Sequence, residues 1–346
     1  PDPAVIPSEH FNTVTYTGNG TSQSITGVGF QPDFVWHNMR SSARATNLYD
    51  AVRGLGSLST NNNGAEASGS TSGLTSYDSD GATIIYRSGV NHEVNESGQT
   101  GVLWNWKAGG AGTANSDGSL TTTKTSANTT AGFSIVKYTG NATAGATLGH
   151  GLNDSPDLII VKKLTAAQDW VVYHQSLGNG QAMTLNSTGG AENPTSHWNS
   201  TNPTTSVFSL GSHQKVNGTS TDYIAYCFAE KEGFSKVGTY TGNGSSDGTF
   251  VYTGFRPAYI MIKRTVNEGW YVRDSARDPY NVGGNMLIAS SNAAEYNNCS
   301  SSGNSCIDYL SNGFKQRGTD TSLNASGSTY IYLAFAEYPF KHTNAR

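Results

Sequence analysis

Glu93 and Glu96 are two carboxylates close together in sequence, and glycoside cleavage asks for an acid and a base on either side of the scissile bond. The competing reading is a solvated loop. They stand in His92-Glu93-Val94-Asn95-Glu96, which is not the zinc-binding helix signature, because the second histidine is missing and the surroundings read as strand and turn. Glu230 and Glu337 take equivalent places after Phe-Ala, yet Lys107-Ala108 stands at the matching point early in the chain, so no acid is shared. The eight histidines are scattered without a close ligand pair, and Cys299 and Cys306 have no evident metal partner. The expectation is no catalytic residue, no metal and no cofactor, with a glycan depolymerase as the alternative.

Binding chemistry is better represented. Aromatic rings stack on the apolar faces of sugars while Asn, Ser, Thr and Arg reach the hydroxyls, so a recognition surface needs both sets in loops. His197-Trp198-Asn199 fits first, within the polar segment 189–205, followed by Tyr280 and Tyr296 in Asp278-Pro279-Tyr280-Asn281 and Glu295-Tyr296-Asn297. Asp50-Ala51-Val52-Arg53 and Asp274-Ser275-Ala276-Arg277 correspond to each other, with His174-Gln175-Ser176-Leu177 between them. They read as salt-bridged strand ends; the alternative is that Arg53 and Arg277 offer forked donors to an acidic sugar or a partner subunit. Asn95, Asn217 and Asn324 read as turn formers, and Trp36, Trp104, Trp106, Trp170 and Trp270 as core. Cys299 and Cys306 flank a Gly/Ser/Asn loop and are expected to pair in an oxidising setting, whereas Cys227 reads as a small buried hydrophobe.

These residues sit on a repeated frame. Tyr-Thr-Gly-Asn begins at Tyr16, Tyr138 and Tyr240, and each copy is followed by a proline, Pro32, Pro156 or Pro257, that leads a hydrophobic run. Nine residues after Asn95, Asn217 and Asn324 come Trp104, Tyr226 and Leu333, the centres of three closing strands. Matched starts, middles and ends at near-fixed spacing signal an internal repeat. The closing strands carry one bulky apolar face at period two, the pattern of a sheet packed on a second layer. The expected fold is all-β, with three tandem β-sandwich modules of jelly-roll or lectin-like type. Residues 1–10 read as a lead-in, 11–108, 132–230 and 234–338 as the modules, and 339–346 as a tail. Residues 109–131, dense in Gly, Ser, Thr and Ala, read as a mobile linker. Residues 57–73 read as a surface loop, and modules two and three as rigidly docked.

Composition narrows the partners. Only 13% of the 346 residues are charged and the net charge is −4, so the basic footprint that phosphate backbones require is missing and nucleic acid is not an expected partner. No run approaches the eighteen or so apolar residues of a membrane helix, and Pro1-Asp2-Pro3-Ala4-Val5 lacks a signal-peptide layout, so a soluble chain without membrane insertion is expected. Asn-x-Ser/Thr triplets such as Asn141-Ala142-Thr143 are expected by chance in a chain this rich in those residues.

Several phrases resemble a repeat family of tail-fibre-like and other virion proteins of marine bacteriophages, particularly cyanophages. They are Gly132-Phe133-Ser134-Ile135-Val136-Lys137-Tyr138-Thr139-Gly140-Asn141, Cys227-Phe228-Ala229-Glu230-Lys231-Glu232-Gly233-Phe234-Ser235-Lys236, Ala334-Phe335-Ala336-Glu337-Tyr338-Pro339-Phe340-Lys341, and the stretch from Ser24 through Pro32 to Trp36. The resemblance covers nearly the whole chain. It implies an extracellular virion surface protein, a tail fibre that attaches to host cells by a bacterial surface glycan or receptor, touches other virion proteins and forms a homo-oligomer, a trimer by analogy. A capsid decoration or head fibre is the alternative.

Overall fold

The computed structural model describes residues 5–69, 73–89, 94–299 and 305–338. The chain is nearly all β, built from multiple antiparallel sheets. Each repeat contributes one large sheet in which the opening strand pairs with the closing strand, and the closing strand pairs in turn with the strand after the proline. In the first repeat these are Phe11–Thr17, Thr100–Trp106 and Phe34–Met39; in the second Phe133–Thr139, Asp222–Phe228 and Leu158–Lys163; in the third Ser235–Thr241, Thr329–Ala336 and Pro257–Arg264. A smaller sheet accompanies each: Ser22–Thr26 with Gly81–Ile85 and Leu74–Asp78, Ala146–Gly149 with Val207–Leu210, and Phe250–Tyr252 with Gly313–Gln316 and Ile307–Leu310.

The motif that marks the repeats closes each of them. Hydroxyls of Tyr16, Tyr138 and Tyr240 donate to the carbonyls of Val94, Val216 and Leu323, just before the three asparagines. The backbone N–H groups of Asn19, Asn141 and Asn243 donate to the side-chain oxygens of Asn95, Asn217 and Asn324, whose amides donate back to the same turns. These asparagines are therefore buried brackets between the two ends of a repeat, a stronger role than turn formation. Glycine is required in the motif, because a Cβ on Gly18, Gly140 or Gly242 would run into the carbonyl of Glu96, Gly218 or Ala325.

What covers the bulky faces differs from the expected pattern. Val102, Trp104 and Trp106, Ile224, Tyr226 and Phe228, and Ile331, Leu333 and Phe335 all join one core shared by the three repeats. Phe34 packs against Phe133 and Tyr226, Phe228 against Phe335, and Phe11 against Phe335 and Tyr259. The alternate positions, such as Leu103, Ala225, Cys227 and Ala334, face three separate cores under the smaller sheets. Each large sheet is thus buried on both faces.

Matched contacts pass around the three repeats and close on themselves. The N–H groups of Glu66, Ala191 and Glu295 donate to the carbonyls of Leu164, Thr265 and Arg40, linking first to second, second to third and third to first. The Trp170 and Trp270 indoles donate to Ser59 and Thr184 across the first two joints, and Thr46 donates to Ser291 at the third. Lys162 and Lys263, fully buried, reach carbonyls of Asn63 and Thr188 in the neighbouring repeat, and burial lowers each ammonium to about 8.

Residues 109–131 do not form a free linker. Lys124–Asn128 is the edge strand beside Phe133–Thr139, Thr122 and Ser126 are buried, and Asn128 donates to Lys107 of the first repeat. Backbone pairing orders this stretch where side-chain burial alone would not. The expected surface loop at 57–73 is likewise corrected in part: Ser57, Leu58, Ser59 and Thr60 are buried, and Leu58–Ser59 is a strand. Residues 70–72, the lead-in residues 1–4 and the expected tail 339–346 lie outside the described residues.

Candidate functional site

Most residues singled out for recognition turn out to be interior. Trp198 is 2% exposed, packs edge-on against Tyr173 and belongs to the core of the second repeat. The one-turn helix Thr195–Trp198 carries it inward, so the polar neighbours in sequence misrepresent the ring's surroundings. His197 is buried too, and burial lowers its imidazole to about 4. Its ring centroid lies 4.5 Å from that of His213, and the two rings meet edge to face. Among the described residues no group of three His, Cys, Asp or Glu side chains is gathered to hold a metal ion.

Arg277 is also unable to offer a fork outward. Its guanidinium bonds Asp274 at 2.6 Å, Glu295 at 2.7 Å and the Val272 carbonyl, and lies over the Trp104 ring. Arg53 repeats the arrangement with Asp50 and Glu66. Both triads receive a donor from another repeat: Tyr226 Oη donates to Asp50, and Trp104 Nε1 donates to Asp274. At the matched place in the second repeat, His174, Leu177 and Ala191 replace Asp, Arg and Glu, and the matched reaching residue is Leu333. The second repeat thus has neither the ion pairs nor the reaching donor at this joint, which is built from His174 and aliphatic side chains. The salt-bridged reading describes these residues, and their role is to hold repeats together.

The carboxylates considered for chemistry are engaged by cations. Glu96 bonds Arg44 at 2.7 Å, Glu230 bonds Lys236 at 2.5 Å and Glu337 bonds Arg256 at 2.6 Å. Glu93 and His92 lie outside the described residues. Cys299 and Cys306 form the expected disulfide, and burial pushes the Cys227 thiol up to about 12.

Tyr280, 83% exposed, and Tyr296, 37% exposed, do reach the surface. Nine large apolar side chains are exposed among the described residues, and four of them, Phe250, Tyr252, Tyr280 and Val282, lie on or beside one small sheet of the third repeat. In strand Phe250–Tyr252 the rings of Phe250 and Tyr252 point outward, 43% and 61% exposed, while Val251 is buried. Gly313 lies directly under the Phe250 ring, and the Tyr252 ring lies beside Gly254. Phe250 is opposite Lys315, which is opposite Asp308 on the next strand. Beyond that strand, the Asn281 side chain pairs with both backbone groups of Tyr309, tying the segment with Tyr280 and Val282 to the far edge. Lys315 bonds Asp247 at 2.5 Å and holds its carboxyl below the usual range, while Arg317 lies 3.6 Å from Asp247 and 3.3 Å from Asp308. Sequence reasoning misses Phe250 and Tyr252. Their signal is two aromatics flanking a valine in one phase of a strand.

An open groove of about 770 Å³ at the seam between the second and third repeats, lined by Gly189, Gly190, Glu192, Arg264, Val266 and their neighbours, holds no aromatic ring.

No curated protein matches the chain. The family model described as a domain of unknown function (DUF7483) matches residues 6–339, one model spanning all three repeats, and the chain belongs to that family.

Proposed function

We propose that this protein is a non-enzymatic attachment component of a phage virion surface, a tail fibre, that binds a bacterial surface glycan. Each repeat is a two-layer β-sandwich of jelly-roll or lectin-like type in this reading, and the three together form one rigid head. The observation that carries it is the set of exposed rings around the strand Phe250–Tyr252, set among Lys, Arg and Asp side chains that can reach sugar hydroxyls. The phage setting rests on the resemblance of the repeat phrases. The engagement of Glu96, Glu230 and Glu337 by Arg or Lys supports binding over hydrolysis.

The test uses the purified protein and a panel of lipopolysaccharides extracted from marine cyanobacteria. Retention of the protein on at least one of them, with no release of reducing ends, is the expected result. Release of reducing ends would make the protein a depolymerase, and no retention on any member would overturn glycan attachment.

A further inference from the structure

We infer, building on the glycan-binding reading above, that the third repeat's small sheet selects an uncharged glycan and that the chain crosses the sheet from Phe250 and Tyr252 toward Tyr280. Three observations lead there. First, the charges on this face neutralise one another: two cations, Lys315 and Arg317, are met by two carboxylates, Asp247 and Asp308. A surface of balanced, paired charge offers an acidic sugar no net attraction, and drawing a uronate or sulfate onto it would compete with bonds already made. Rings and paired side chains instead suit the apolar faces and hydroxyls of a neutral sugar.

Second, the rings stand at opposite edges. Phe250 and Tyr252 lie on one edge strand, and Tyr280 follows the other edge, where Asn281 holds the Tyr309 backbone. Three strands span about 10 Å at the usual spacing of ~4.8 Å, which is wider than a single sugar ring. Simultaneous contact with both edges requires an oligosaccharide, and linked contacts raise the effective affinity of each.

Third, the other repeats show that the rings are not needed to build such a sheet. At the positions of Phe250 and Tyr252 the first repeat has Ser24 and Thr26, paired with Thr83 and Gly81 where the third repeat has Lys315 and Gly313, and Ser24, Thr83 and Ser76 all hydrogen-bond to Asp78 there. In the second repeat Thr147 takes the place of Phe250, and the segment through Ser119 and Leu120 bonds along that strand. Large rings left in water at two of these positions, and only in the third repeat, mark a contact surface.

Affinity electrophoresis of the full chain through gels holding neutral glucans, mannans and galactans, or alginate and chondroitin sulfate, tests the inference. The expected result is retardation by at least one neutral polymer and by neither acidic one, unchanged by added salt because no ion pair is made. Phe250→Ala, Tyr252→Ala and Tyr280→Ala should each weaken it several-fold, and the triple variant at least tenfold. Oligosaccharides should compete and monosaccharides should not. Salt-sensitive retardation by the acidic polymers would overturn neutrality while leaving glycan binding intact. Neutral retardation untouched by the three substitutions would place the site elsewhere. If no polymer retards the protein, the glycan reading itself fails, and concentration-dependent self-association lost in the triple variant would assign the face to protein contact.

Discussion

The shared interior and the outer sheets obey different rules. Inside, the repeats are matched position by position: Trp104, Tyr226 and Leu333 all enter one core, and Glu66, Ala191 and Glu295 all bond the next repeat by the same backbone group. Even the exception is coordinated, because His174, Leu177, Ala191 and Leu333 depart together from the charged pattern. On the outside, Ser24 and Thr26 in the first repeat correspond to Phe250 and Tyr252 in the third, and the neighbour that differs with them, Thr83 against Lys315, lies within the same small sheet. The contrast teaches that interior positions are constrained by partners in other repeats, whereas outer positions are constrained only by their own sheet and are free to specialise.

The largest expected effects come from breaking the interior. Asp274→Ala takes one acceptor from the buried Arg277 guanidinium, which keeps Glu295 and the Val272 carbonyl, and removes the acceptor of the buried Trp104 indole, so it should cost about 3 kcal/mol, measured by urea unfolding. His174→Ala, at the matched place, removes no ion pair and should cost clearly less. Equal losses would erase the distinction between charged and apolar joints.

Acid should find the same interior. Burial lowers His37 to about 3 and His174 and His197 to about 4, from about 6.5 in the unfolded chain. Between those values the unfolded state binds more protons than the folded one, so stability falls as pH drops from about 6.5 toward 4 and is complete above that window. The loss should reach several kcal/mol in sum, since each pH unit separating the folded from the unfolded value is worth on the order of 1.4 kcal/mol per histidine. Urea midpoints at pH 7.5, 5.5 and 4.5 check it, and a flat profile would contradict buried neutral rings.

Intermediate effects belong to the brackets. Asn324→Ala leaves the turn at Asn243 without its acceptor and should cost about 1–3 kcal/mol, with matched losses at Asn95 and Asn217. A negligible loss at all three would return them to simple turn formers.

How far the sequence foretells this divides along the same line. The repeat, its closing strands and the pairing of Cys299 with Cys306 are legible because they follow from spacing and period. Period two shows that Trp104 and Tyr226 are buried, but it does not say whether a module's own second layer or another repeat covers them. Residues 109–131 mislead because their order comes from backbone pairing, which leaves little trace in composition. Trp198 misleads because a single helical turn reverses the direction that polar neighbours suggest. Phe250 and Tyr252 escape notice because a three-residue strand is too short for its alternation to stand out.

The smallest effect on stability carries the greatest weight for function. Replacing Phe250 and Tyr252 by the first repeat's residues, Phe250→Ser with Tyr252→Thr, should leave stability within about 0.5 kcal/mol, because both rings already face water. The decisive measurement is adsorption of this double variant to marine cyanobacterial cells that retain the unaltered protein, beside a Ser24→Ala, Thr26→Ala variant of the matched outer strand. The account predicts that adsorption falls at least tenfold in the first and is unchanged in the second. Undiminished adsorption of the Phe250→Ser, Tyr252→Thr protein, folded and equally stable, would contradict it.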